Sequence, residues 1–289
     1  LPVGDRPSAR RSDQQEEQMG SKGRYVGHGA LLAAGALTTT LAAEMLAAIR
    51  HKFIASEPML AIGGVLGPDD GEPFTVAVLG DSSVAGVGAE RPEDTLAYGV
   101  AAALAERHRV TLHCLGVSGA RLANVVSEQL PQLAGLDADA VLVCVGTNDV
   151  THGTSTRALR YHLRALASGL STVAPNAVVV VSGLPPADVC PAFHPPLRHL
   201  LGLRAWALTR LYRSELANSG ITLFDIAGET RPAFRGRREM FSDDLFHPSS
   251  VGYAYLGEIY GRAVREAVER ARAAALGRDA LPLAGDLAG

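Results

Sequence analysis

Cysteine is scarce in this chain, and the scarcity excludes two kinds of protein. Three cysteines at wide spacing make neither a disulfide framework nor a zinc site. Cys114 and Cys144 lie in apolar runs, where small buried thiols are expected, and Cys190 sits in a proline-rich loop with no neighbour that argues for reactivity. An excess of one charge sign is missing as well. The formal net charge is −3 and no long Lys/Arg block occurs, so nucleic acid is not an expected partner. There is no H-E-x-x-H, no Cys/His cluster and no Walker loop, which leaves metal and nucleotide chemistry without ligands. The G-x-S-x-G elbow is absent too: "GVSGA" (116–120) comes close, but its second glycine falls one position early.

What is present begins with a hydrophobic content of 47% over 289 residues, enough for one large domain or two small ones. Residues 1–25, with the run "SARRSDQQEEQ", are polar and charged and are expected to be disordered. The chain opens with Leu1. Met19 is expected to be the physiological start, the first 18 residues being an extension of the reading frame. Residues 26–55 hold the run "ALLAAGALTTTLAAEMLAAI" (Ala30 to Ile49), as long as the roughly 20 residues a membrane span needs. Lys22 and Arg24 precede it, Arg50 and Lys52 follow it, and Glu44 lies inside it. The segment reads as a signal anchor or uncleaved signal, with an amphipathic helix packed on the domain as the other reading. Membrane association through residues 30–49 places the protein at the bacterial cell envelope, anchored or exported; the packed helix leaves it cytoplasmic. Residues 56–73, rich in Gly, Pro and Asp, read as a linker.

From residue 74 a regular alternation begins. Short β-branched runs at 74–80, 110–117, 140–146, 177–184 and 221–228 are almost continuously apolar, as expected for parallel strands covered on both faces. Segments with helical spacing lie between and after them, at about 92–107, 121–134, 154–173, 197–218 and 250–275. Five strand–helix pairs predict a doubly wound α/β domain over 74–276, followed by a loose tail at 277–289. Such sheets bind ligands at the carboxyl ends of their strands.

Polar residues collect at those ends. The first strand runs out in "VAVLGDSSVAG" (76–86), the second in "GVSGAR" with Gly119, and the third in "GTND" (146–149). "SDDLFHPSSVGY" precedes the last helix. Acyl-transfer chemistry explains the four together. A serine hydroxyl needs a base during attack, and His247 can serve, because imidazole titrates near neutral pH. The imidazole needs a carboxylate acceptor to hold its tautomer; Asp244, three residues earlier, can supply it. The tetrahedral intermediate needs fixed donors, for which the N–H of Ser82, the N–H of Gly119 and the amide of Asn148 are candidates. Glycine allows close backbone approach.

The set GDS (80–82), SG (118–119), GTND (146–149) and DxxH (244–247), in that order, resembles the SGNH/GDSL hydrolases, a superfamily of esterases and lipases. The resemblance covers roughly residues 74–275, and its motifs, each short alone, are specific together. It implies a three-layer α/β/α sandwich with a five-stranded parallel, flavodoxin-like sheet. It also implies a covalent acyl-enzyme, no metal and no organic cofactor. Ser83 stands where the signature has leucine, which leaves two adjacent serines; family position favours Ser82.

Other polar residues have plainer readings. Asp81 is expected to bond the turn that positions Ser82, and Asp149 to be structural. Asp243 rivals Asp244 but lacks the three-residue spacing. His108, His113, His162 and His199 have no paired ligands, while His152 lies near enough to touch substrate. The loop 185–199 is expected to border the cleft, with Phe193 and His194 as candidate pocket residues; Trp206 is expected in the core. No long apolar insertion makes a lid, which favours small esters. The sequence therefore predicts a serine esterase acting on short-chain acyl esters, a small-molecule substrate. The alternatives are a carbohydrate O-deacetylase or acyltransferase on the same fold, or a membrane-anchored binding protein with a vestigial site. Oligomeric state is not legible.

Overall fold

A computed structural model describes residues 38–41, 43–44 and 60–279. The expectations for residues 1–25 and for nearly all of the tail fall outside these residues. Of the 26–55 segment only 38–41, 43 and 44 are described, and they are helical. Among the described residues no helix is long and apolar enough to cross a membrane. The chain divides into two units, Leu1–Arg50 and His51–Gly289. The second carries the sheet.

Six strands build that sheet: β1 Gly63–Leu66, β2 Glu72–Gly80, β3 His108–Cys114, β4 Ala140–Cys144, β5 Val178–Ser182 and β6 Thr222–Phe224. They lie in the order β1-β3-β2-β4-β5-β6. The five from β2 to β6 are parallel, and their order is the flavodoxin-like one, with the chain reversing direction across the sheet at β2. The sixth strand corrects the expected count of five. β1 lies within the stretch read as a linker and pairs antiparallel with β3, Gly64 opposite Leu112. Its glycines hid it in the sequence, because two of its four positions carry no side chain to show a strand pattern.

Seven α-helices accompany the described strands: α1 Leu96–Ala105, α2 Leu122–Asn124, α3 Thr147–Thr151, α4 Thr156–Val173, α5 Leu197–Leu216, α6 Ile226–Phe234 and α7 Ser250–Asp279. α2 continues through a π turn, Val125–Gln129, and a 3-10 turn, Leu130–Leu133. Thr95 caps α1 by accepting from the Tyr98 N–H, and Ser155 caps α4 by accepting from Ala158.

Alternation along β2 sorts the core into two layers. Phe74, Val76 and Val78 pack with Val100 and Leu104 of α1 and Leu256 and Tyr260 of α7. Ala77 and Leu79 face the opposite layer, with Leu159, Leu163, Leu166 and Leu170 of α4 and Leu208 and Tyr212 of α5. The four α4 leucines repeat at helical spacing, and each contributes about 1.5–3 kcal/mol on burial. Helices α1 and α7 cross at Gly99 and Gly257, where a Cβ added to Gly99 would lie 2.6 Å from the Gly257 Cα.

Trp206 departs from the expected core. It is 60% exposed. The buried stripe of α5 runs through Ala205, Leu208 and Tyr212, and Trp206 lies off it. Helical phase, not side-chain hydrophobicity, decides its place.

Candidate active site

Ser82 lies two residues past the carboxyl end of β2, at the point where the strand order reverses. Its position is set by the residues before it. A Cβ at Gly80 would sit 2.0 Å from the Cys144 carbonyl oxygen, so only glycine permits this approach to β4. The Gln129 side chain grips the same residue twice: its Oε1 accepts from Gly80 N–H at 2.8 Å, and its Nε2 donates to the Gly80 carbonyl at 2.8 Å. After Gly80 the chain turns, with Val84 and Ala85 N–H donating to the Asp81 carbonyl. Buried Asp81 accepts from the N–H of Ser83 at 3.0 Å and from its hydroxyl at 2.9 Å. Burial raises the Asp81 pKa, and the two Ser83 bonds partly oppose that. The Ser83 hydroxyl is committed to this turn. Of the two adjacent serines, Ser82 is the one that meets the imidazole.

That meeting forms a relay. The Ser82 Oγ lies 3.0 Å from His247 Nε2, and His247 Nδ1 lies 2.6 Å from Asp244 Oδ2. A carboxylate only accepts, so Nδ1 carries the proton and Nε2 is left to accept from the serine. All three residues are buried. The base and its carboxylate belong to one small turn. Asp244 Oδ1 accepts from the N–H of Phe246 and of His247, both at 2.9 Å, and from the Ser242 hydroxyl at 2.8 Å. The Ser242 N–H donates to the His247 carbonyl at 2.8 Å, and Leu245 takes the left-handed conformation (φ +60°) that tightens the turn. Asp243 is fully exposed and pairs with Arg238, outside the relay.

The remaining predicted residues lie on the neighbouring turns. Gly119 has φ +79°, and no heavy atom lies within 4 Å of where its Cβ would be, so one side faces open space. Neither its N–H nor that of Ser82 meets an acceptor among the described residues. Asn148, in the first turn of α3, donates from Nδ2 to the Ala120 carbonyl at 3.0 Å, which fixes it beside Gly119. Asp149 Oδ2 accepts from Leu122 N–H at 2.9 Å and thereby joins α3 to the start of α2. His152 is exposed, with Nδ1 2.9 Å from the Asn148 carbonyl oxygen.

An apolar pocket with an empty volume of about 1060 Å³, its open mouth included, is lined by Ser82 and His247. Phe193, Phe246, Pro185 and Pro186 also line it, whereas His194 does not. The rings of Phe193 and Phe246 stand edge to face, and Phe246 stands likewise against the His247 ring. Cys190 shares this lining, but burial pushes its thiol up to about 12, so it is no rival nucleophile.

Three supporting residues were not legible in the sequence. Besides Gln129, Arg204 donates to the Val150 carbonyl at 3.1 Å and to that of Thr154, which closes the end of α3 behind Asn148. The Tyr253 hydroxyl donates to the Val87 carbonyl at 2.8 Å and ties the nucleophile turn to α7. Gln129 follows Ser127 and Glu128 in the chain, so no local signal set it apart.

Comparison with known proteins adds the following. The profile of the family described as GDSL-like Lipase/Acylhydrolase matches residues 78–255. A protein of Mycobacterium tuberculosis named GDSL-like esterase is 30% identical over 206 residues, which is 68% of this chain and 64% of that protein. The chain thus matches less than two thirds of that relative's length. An α/β hydrolase enzyme from the metagenome of Lake Arreo, Spain, superposes with a TM-score of 0.52 at 18% identity, covering 67% of this chain and 96% of that one. An extracellular lipase from Streptomyces rimosus gives 0.50 at 20% identity, covering 66% and 99%. At these identities the two structures speak for the fold alone.

Proposed function

The chain belongs to the GDSL-like lipase/acylhydrolase family, and on that premise we propose that it is a serine esterase. The observation that carries this reading is the relay from Ser82 Oγ to His247 Nε2 at 3.0 Å and from His247 Nδ1 to Asp244 Oδ2 at 2.6 Å. Ser82 Oγ attacks the ester carbonyl carbon while its proton passes to His247 Nε2. Asp244, at Nδ1, stabilises the imidazolium that forms. The negative oxygen of the tetrahedral intermediate is received by the N–H groups of Ser82 and Gly119 and by the Asn148 amide. Collapse breaks the bond to the alcohol oxygen, which takes the proton from His247 and leaves the acyl group on Ser82. A water molecule then attacks the acyl-enzyme, gives a proton to His247 and releases the acid as Ser82 regains its hydrogen.

The substrate is a small carboxylic ester. Short acyl chains were expected because the sequence has no lid; the pocket beneath Ser82 bears on acyl length separately. Hydrolysis of p-nitrophenyl esters by the full chain, beside its Ser82→Ala variant, tests the reading. Turnover that disappears in the variant is the expected result. Turnover that persists in it would remove Ser82 as nucleophile. Turnover seen only after an alcohol or sugar acceptor is added would make the protein an acyltransferase instead. Membrane association through residues 30–49 belongs to the same proposal, supported by the length of the apolar run; recovery of the full chain wholly in the soluble fraction would overturn it.

A further inference from the structure

The pocket that opens at Ser82 does not stay at the surface. Leu96 of α1, Ile226 and Phe234 of α6, Phe241, and Leu256 and Tyr260 of α7 line it, and all six are buried members of the core layer under α1 and α7. The pocket therefore runs from the nucleophile into the interior. Several of its polar wall groups are already engaged. The Ser182 hydroxyl donates to the Gly183 carbonyl at 2.7 Å and lies 2.7 Å from the Tyr260 hydroxyl. The Thr230 hydroxyl donates to the Ile226 carbonyl at 2.8 Å, and the Asp81 carboxylate is held by Ser83. A polar ligand entering here would lose its water and find few partners along a wall that is mostly apolar. A hydrocarbon chain would gain by the same transfer.

Resting on the esterase reading of Ser82, we propose that this interior pocket holds the acyl chain of the substrate. The substrates are then esters of fatty acids well longer than acetate, and Leu256 helps set the accepted length. The two halves of an ester make different demands. The alcohol must leave and water must enter between the two chemical steps, whereas the acyl chain stays fixed to Ser82 through both. An interior pocket suits the part that stays. An acetyl group would touch little of this apolar lining and draw little from it. A deacetylase would have no use for it.

The test measures kcat/KM for p-nitrophenyl acetate, butyrate and octanoate with the full chain and with Leu256→Phe. It also measures octanoate binding to Ser82→Ala by calorimetry, with and without Leu256→Phe. In the wild type, octanoate is expected to exceed acetate by about tenfold or more, and Leu256→Phe to lower that ratio by about tenfold. Binding of octanoate to Ser82→Ala should weaken correspondingly when Leu256→Phe is added. Acetate as the best ester, or a ratio that Leu256→Phe leaves unchanged, overturns the assignment. Should no ester be turned over, the binding arm decides. Octanoate bound and then lost with Leu256→Phe would uphold the pocket while the esterase reading fails; no octanoate binding would sink the pocket as well. If Leu256→Phe shows no cooperative thermal transition, Thr230→Leu adds bulk to the same wall from α6 and takes its place.

Discussion

Gly80 is gripped by Gln129, 49 residues away in the chain, and the turn after Ser82 is tied down by Tyr253 from a separation of 166 residues. The turn from Ser242 to His247 is held chiefly by three local bonds to one oxygen of Asp244, with Ala192 N–H and the Cys190 thiol donating to the Leu245 carbonyl from outside it. The two halves of the relay are thus built differently. The nucleophile leans more on the tertiary fold, and the base more on its own loop. A change in core packing should reach Ser82 before it reaches His247.

Substitutions can break this contrast, beginning with the largest effect. Ser82→Ala removes the reacting atom itself and is expected to lower kcat/KM by about 10⁴ or more. Its thermal midpoint should stay close to that of the wild type, since no described neighbour needs the hydroxyl for folding. Asp244→Asn strikes the locally bonded turn at its centre. It removes the carboxylate that fixes the His247 tautomer, and kcat should fall by about 10³–10⁴. A loss below tenfold would show that another group orients the imidazole.

Gln129→Leu probes the other half from a distance. It leaves the Gly80 N–H without its acceptor and removes one donor from the Gly80 carbonyl, a cost of about 1–3 kcal/mol that thermal or urea denaturation will read. As a positioning residue, Gln129 should act on kcat, by about tenfold, with KM little changed. A fall in stability with normal kcat would make the clamp purely structural. Ser242→Ala is the mildest, because Asp244 Oδ1 keeps two backbone donors. About 1 kcal/mol of stability and a few-fold of kcat are expected to go. A larger effect at Ser242 than at Gln129 would reverse the contrast.

The same contrast explains what could be read before any coordinates. Asp244 and His247 stand three residues apart, and a single turn of chain joins them, so their partnership shows in the sequence. The Asx-type turn of Asp81 and Ser83 is local in the same way. The five parallel strands were legible because their runs are almost continuously apolar; β4 is fully buried and β2 and β5 nearly so, while β3 and β6 are only partly covered. Gln129, Arg204 and Tyr253 act across long chain separations, and nothing beside them in the sequence marks their partners. β1 escaped because its glycines carry no pattern. Trp206 was misplaced because hydrophobicity says that a residue prefers burial, while the phase of α5 says which way it points. The body of the pocket belongs to no motif, since it is the space left between many separate elements, α1, α3, α5, α6 and α7 among them.

Its width depends on two residues that do not line it. Gly99 and Gly257 let α1 and α7 touch backbone to backbone, and Leu256 stands next to Gly257 on a helix that lines the pocket. A methyl group at either glycine would wedge the two helices apart and carry Leu256 and Tyr260 outward with α7. The crossing therefore serves as a gauge block: two missing side chains, outside the pocket's lining, set the calibre of the space that opens at the nucleophile.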